Sequence, residues 1–209
     1  MDAVADDLAQ VLVHRLEHKS EDERLLVGVA GVPASGKSTL AVLVIDKVNA
    51  LLRNSGSISS AVLVGLDGWH LTRVQLDAMP DPKLAHDRRG IHWTFDAHSY
   101  VSFDPTPHAV TITPNDRIVI IEGLYTFLSI APWAEAGTLL DERWHIELDP
   151  DAAARRLVKR HVASGIAKDL TEAQWRSDEN DAPNGRFIVA NMLEPTRIIP
   201  SIEDPVFTS

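Results

Sequence analysis

A three-layer α/β/α sandwich built on a mostly parallel sheet is the fold this sequence predicts, and three observations predict it. Short, wholly apolar runs alternate with stretches of helical periodicity, the pattern of a sheet covered on both faces. The glycine-rich nonapeptide Gly31-Val32-Pro33-Ala34-Ser35-Gly36-Lys37-Ser38-Thr39 sits between one such run and the helical stretch after it. Two further apolar runs end on a carboxylate, at Asp67 and at Glu122.

The elements follow in order. Val4, Leu8, Val11 and Leu12 share one face of a helix over 3–18. The first buried strand spans 25–30, and apolar residues at helical spacing predict a helix over 38–52, closed by the turn chemistry of Arg53-Asn54-Ser55-Gly56-Ser57. Residues 61–66 form a second strand that leads into Asp67-Gly68-Trp69-His70. The stretch 79–108, rich in Pro, Asp, His and Arg, reads as loops with one short helix near 95–103. Short strands are expected at 110–113 and 144–148, and a clearer one at Arg117-Ile118-Val119-Ile120-Ile121-Glu122-Gly123. Asp149-Pro150-Asp151 supplies a capping carboxylate and a first-turn proline for a helix to about 164. Short helices at 171–177 and 186–193 and a last strand at 197–202 complete the chain, with a tight turn at Asp181, Pro183, Asn184 and Gly185.

The nonapeptide matches G-x-x-x-x-G-K-[ST], and its strand-before, helix-after context is that of a P-loop NTPase. Gly31 and Gly36 allow backbone angles that a Cβ would forbid, so the loop that carries Val32, Pro33, Ala34, Ser35 and Thr39 can turn its main-chain N–H groups toward a polyphosphate. Lys37 is a mobile charge for the β- and γ-phosphates, and the Ser38 hydroxyl is a ligand for Mg²⁺. Ligand sites in such sheets lie at the carboxyl ends of strands, so Asp67 and Glu122 are expected to face the same crevice. Asp67 there can take a proton from a substrate hydroxyl or hold water on the metal, and Glu122 suits the metal's water shell. On the helix after Asp149, Arg156 and Arg160 lie four apart, as do Arg155 and Lys159, so one basic face can close over a triphosphate as a lid spanning about 151–185. Arg88-Arg89-Gly90-Ile91-His92-Trp93 mixes cations with an aromatic in a long loop suited to an anionic or polyhydroxylated substrate. Asn184 either borders a nucleotide base or simply forms its turn. The scattered histidines lack metal-site spacing.

At 209 residues, 44% apolar, the chain suits one unit, 1–209, with a real core. Its formal charge of -10 argues against a general nucleic-acid binder, and no cysteine is present for disulfides or thiolate metal sites. No signal pattern or membrane-length apolar run is evident, so a soluble, cytoplasmic protein is expected, of unspecified oligomeric state.

Together, Gly31 to Thr39, Asp67-Gly68-Trp69-His70, Glu122-Gly123-Leu124-Tyr125 and the Arg156/Arg160 helix resemble the phosphoribulokinase/uridine kinase family of P-loop kinases, which includes pantothenate and nicotinamide riboside kinases. Arg156-Leu157-Val158-Lys159-Arg160-His161, Asn180-Asp181 and Asn184-Gly185 resemble the lid of its fungal kinase-like branch. The resemblance implies ATP and Mg²⁺, a small-molecule alcohol as phosphoryl acceptor, Asp67 as base, Glu122 as the acidic strand-end residue and Arg156 and Arg160 as lid arginines. Trp69, His70, Arg89, His92 and Tyr125 are the expected acceptor contacts. In one departure, the chain passes from Ser102 straight to Phe103-Asp104-Pro105, where relatives carry a longer connection with more of the acceptor region. A nucleotide-driven ATPase or switch, and a non-catalytic nucleotide-binding protein, are the alternatives. The sequence has no guanine-reading Asn-Lys-x-Asp stretch.

Overall fold

The computed structural model describes residues 1–101 and 110–202. Its centre is a five-stranded parallel sheet in the order β2-β3-β1-β4-β5. The strands are β1 (Leu25–Gly31), β2 (Ser60–Gly65), β3 (Asp116–Glu122), β4 (Glu142–Glu147) and β5 (Arg197–Pro200). Alternation along the strands decides which helices each face receives. Val27, Val29, Ile118 and Ile120 point to one face, where helices α1 (Asp2–Leu16) and α2 (Lys37–Asn54) lay down Leu8, Leu12, Val44 and Val48. Ala30, Val119 and Ile121 point to the other, against an aromatic-rich layer of Trp69, Phe95, Tyr100, Tyr125 and Trp133. With both faces covered, the three-layer arrangement is complete.

Five short helices occupy the region from 73 to 139 and the end of the chain beyond β4. These are α3 (Arg73–Asp77), α4 (Pro82–Asp87), α5 (Ala97–Val101), α6 (Trp133–Leu139) and, later, α8 (Leu170–Arg176). Two longer ones frame the crevice from the β4 side, α7 (Pro150–Ala163) and α9 (Ala182–Ala190). The Asp149 carboxylate accepts from Ala152 N–H at 3.0 Å, so the cap and proline expected there start α7.

The structure departs from the sequence-based expectation at four places. The stretch from 79, expected as loop, holds α4, because Asp81 caps it ahead of Pro82, and just before that stretch Thr72 and Gln75 form a capping box that starts α3. Residues 110–113 are not a strand: β3 already has β2 and β1 as neighbours, and Thr113 gives its N–H and hydroxyl to the Asp116 carboxylate at 2.7 and 2.8 Å. Asn184 and Gly185 are not a turn. A π-helical run, Ser177–Asp181, carries α8 into α9, with Pro183 in the first turn of α9. The last strand stops at Pro200 rather than 202. The departure after Ser102 and the end of the helix expected near 95–103 lie outside the described residues.

Leu12 is fully buried between α1 and the sheet. Leu12→Ala is expected to lower the unfolding free energy by about 2–5 kcal/mol in urea denaturation. A loss below about 1 kcal/mol would contradict the packing of α1 against the sheet.

Candidate functional site

The parallel register brings three strand ends level. Glu122 at the tip of β3 lies beside Val29 of β1 on one side and Gly65 of β2 on the other. The segments that leave these tips are therefore neighbours before any side chain is considered.

From β1 the chain enters the glycine-rich loop. Gly31 is needed for close approach, since a Cβ there would stand 2.7 Å from the Ile146 carbonyl oxygen and 2.8 Å from Ser35 Oγ. Ala34 and Gly36 take left-handed angles, φ 62° and 88°. For the alanine this costs roughly 1–2 kcal/mol, so the loop must be held from outside. Arg156 on α7 donates to the Ala34 carbonyl at 3.3 Å and to Ser201 Oγ at 2.8 Å, and Ser201 Oγ donates in turn to the Ser35 carbonyl at 2.8 Å. Arg156 thus clasps the outside of the loop and ties it to the end of β5.

Lys37 begins α2 and is only 7% exposed. Its Nζ donates to the Val32 carbonyl at 3.2 Å. Burial lowers its pKa to about 8, with Arg160 also disfavouring the charge and Glu122 and Asp67 favouring it. Burial likewise pushes the Glu122 carboxyl above its ordinary value, opposed by Lys37 and by a hydrogen bond from the Ser38 hydroxyl. Lys37 and Glu122 thus interact where both are largely withdrawn from water, with the hydroxyl of exposed Ser38 bonded to Glu122. Ser38 and Glu122 offer adjacent oxygen ligands of the kind a magnesium ion takes.

Asp67 lies in the 3-10 turn Leu66–Trp69 that follows β2. What holds this turn against β3 is Gly123, where a Cβ would fall 2.3 Å from Leu66 Cβ. The Asp67 side chain is 93% exposed, with His70 Nε2 at 3.6 Å. His70 beside it, then Lys37 and Arg160, hold its carboxyl below the usual range. The 3.6 Å separation is longer than a well-formed hydrogen bond. His70 is fixed by stacking on Phe95, centroids 3.9 Å apart.

The remaining expected contacts sort into wall and rim. Trp69 is buried, edge-on to Tyr100 at 5.4 Å. Tyr125 is fully buried, its hydroxyl 2.7 Å from the Gly90 carbonyl and 2.6 Å from Asn184 Oδ1. Asn184 Nδ2 donates to the same Gly90 carbonyl at 3.3 Å. His92 stacks on Phe187 of α9, centroids 4.5 Å apart, and Arg88 donates to the Glu179 carbonyl. The loop 88–95, β3 and α9 are therefore joined at one junction, which sequence reasoning missed because its partners lie far apart in the chain. Arg89 and Arg160 are exposed at the rim, and only Arg160 of the two acts electrostatically on Lys37 and Asp67.

No family model matches the chain. The chain is 39% identical over 160 residues to the ATP-dependent kinase-like protein notR' of Aspergillus versicolor, covering 65% of this chain and 93% of that one. It is 31% identical over 216 residues to a Schizosaccharomyces pombe protein provisionally named uridine kinase C227.14, covering 93% of this chain and 89% of that one. The crystal structure of YFH7 from Saccharomyces cerevisiae superimposes with a TM-score of 0.78 at 22% identity, over 97% of this chain and 98% of that one, and supports the fold. The chain belongs to the phosphoribulokinase/uridine kinase family of P-loop kinases.

Because free Lys37 titrates at about 8, a polyphosphate that favours its charged form draws a proton in. At pH 8, ATP binding is expected to take up about half a proton, with uptake vanishing toward pH 6. Calorimetric titration in buffers of different ionisation enthalpy measures this. Heats independent of the buffer at pH 8 would contradict the lowered pKa.

Proposed function

We propose that this member of the family transfers the γ-phosphoryl group of ATP to a hydroxyl of a small-molecule alcohol of the nucleoside, sugar or pantothenate-like kind. One observation carries the reading: the parallel register sets the glycine-rich loop with Lys37, the turn with Asp67 and the Glu122 tip side by side, where Lys37 interacts with both carboxylates and Arg160 with Lys37 and Asp67.

In this reading the main-chain N–H groups from Gly31 to Thr39 receive the phosphates, helped by the positive end of α2. Lys37 and Arg160 offset the negative charge that spreads over the transferring group. Bound magnesium, held by Ser38 and Glu122, would neutralise charge on the same phosphates. Asp67 orients the acceptor hydroxyl and receives its proton as the new O–P bond forms and the bond to the β-phosphate oxygen breaks, releasing ADP. An exposed carboxylate with a lowered pKa is ionised at neutral pH, as this role needs. Arg156, Tyr125 and Asn184 act as positioning residues, holding the loop, the acceptor wall and the lid helices. Trp69, His70, Arg89 and His92 face or border the space left for the acceptor.

A panel of alcohols screened for ATP-dependent phosphorylation tests the assignment, with nucleosides first in view of the name of the Schizosaccharomyces pombe relative. With the responding acceptor, Asp67→Asn is expected to lower kcat by about 10²–10⁴-fold while ATP affinity stays within about threefold. Undiminished kcat in that variant would remove Asp67 as the base. ADP release that no alcohol on the panel increases would count against a kinase acting on this substrate class.

A further inference from the structure

A cleft of about 350 Å³ lies on the β4 side of the glycine-rich loop, between α7 and α9. That size falls within the range of sites for small organic ligands. Val32 and Pro33 form one wall, Leu148 and Leu157 line the depth, and Arg186 and Val189 stand exposed at the mouth. None of Lys37, Ser38, Thr39, Asp67 or Glu122 lines it. Helix α7 presents different stripes to the two spaces: Arg156 reaches the loop and Ser201, whereas Ala153 and Leu157, four apart, face the cleft.

Apart from Arg186 at the mouth, the lining is apolar except at the π-helical run. Ser177 there is fully buried, yet its hydroxyl finds no partner among the described residues. Such a group costs free energy unless something satisfies it. Asp181, one turn on, also lines the cleft. One of its carboxylate oxygens lies 2.8 Å from Nε2 of buried His161. A carboxylate retains further acceptor capacity after one such bond.

We propose that this cleft is a second ligand site, separate from the phosphate cradle, which takes a neutral bicyclic heteroaromatic molecule carrying an N–H donor. The apolar walls take the ring faces. The donor meets Ser177 and Asp181, and the Asp181 and Arg186 charges leave no net demand for a charged ligand. Val32 and Pro33 are shared with the glycine-rich loop, but none of the phosphate-site side chains lines the cleft, so the ligand and a nucleotide can be held together. Such binding goes beyond phosphoryl transfer and is read out directly, so it stands or falls apart from the kinase reading.

Indole and 1-methylindole, which lacks the donor, are suitable probes, followed by nuclear magnetic resonance on the full chain. Indole is expected to shift backbone signals at Val32, Leu157, Ser177 and Val189 and to bind about three- to tenfold more tightly than 1-methylindole. Ser177→Ala removes a hydroxyl that bonds to none of the described residues, so it should fold normally and reduce that preference to within about twofold. Val189→Trp fills the mouth and should weaken both probes by about tenfold or more. Saturating ATP should leave indole affinity within about threefold. The site is overturned if indole shifts appear elsewhere on the parent protein or not at all, if folded Val189→Trp binds both probes as the parent does, if Ser177→Ala keeps the full preference, or if ATP displaces indole competitively.

Discussion

Burying the Lys37 ammonium disfavours its charge, and the fold offsets that cost mainly with the fields of Glu122 and Asp67, because Nζ donates to a neutral group, the Val32 carbonyl, rather than to a carboxylate. Those two carboxylates can help only because the sheet is parallel and in register, with Glu122 level with Gly65 and Val29. The glycines serve the same end. Gly31 lets the loop pass against β4, and Gly123 lets the turn that bears Asp67 come down on β3. A lysine that is buried but incompletely compensated is poised to gain from a polyanion, since binding supplies the missing opposite charge. For a member of a P-loop kinase family, a nucleoside triphosphate is the polyanion proposed for this place.

The second structural theme is attachment. The loop backbone contains one left-handed alanine and is gripped from outside by Arg156 and Ser201. The acceptor-side loop is joined to β3 and α9 through Tyr125, Asn184 and the Gly90 carbonyl, with the His92–Phe187 stack alongside. Aromatic packing under the junction, Tyr125 against Phe95 and Trp133 at 5.3 and 5.7 Å, keeps the hydroxyl at a fixed height. Movement of α9 is thereby mechanically tied to the loop at 88–95, and α7 to the phosphate loop.

Local order made much of this legible. Apolar runs marked all five strands to within two residues, because buried parallel strands need no partner-specific pattern. The ends of β2 and β3, which bear Asp67 and Glu122, are neighbours as the strand-end rule for such sheets leads one to expect. The turn expected at Asn184 was a helix, since the propensity of Asn and Gly for turns yields when a π-helical run carries the chain onward and Asn184 is buried against Tyr125. Tyr125, named as an acceptor contact, lies instead in the wall with its hydroxyl engaged. Arg156 reads in sequence as a phosphate ligand, yet its guanidinium bonds to the loop backbone and Ser201. Each of these is a tertiary contact between residues tens of positions apart, which periodicity and spacing do not encode.

The most direct measurement is a crystal structure with magnesium and a non-hydrolysable ATP analogue. The expected complex has its phosphates enclosed by the backbone of 31–39, Lys37 Nζ turned from the Val32 carbonyl onto them, the ion against Ser38 and Glu122, and the Asp67 carboxylate facing the terminal phosphate across the crevice. A nucleotide bound away from Lys37, or an Asp67 directed out of the crevice in that complex, would contradict it.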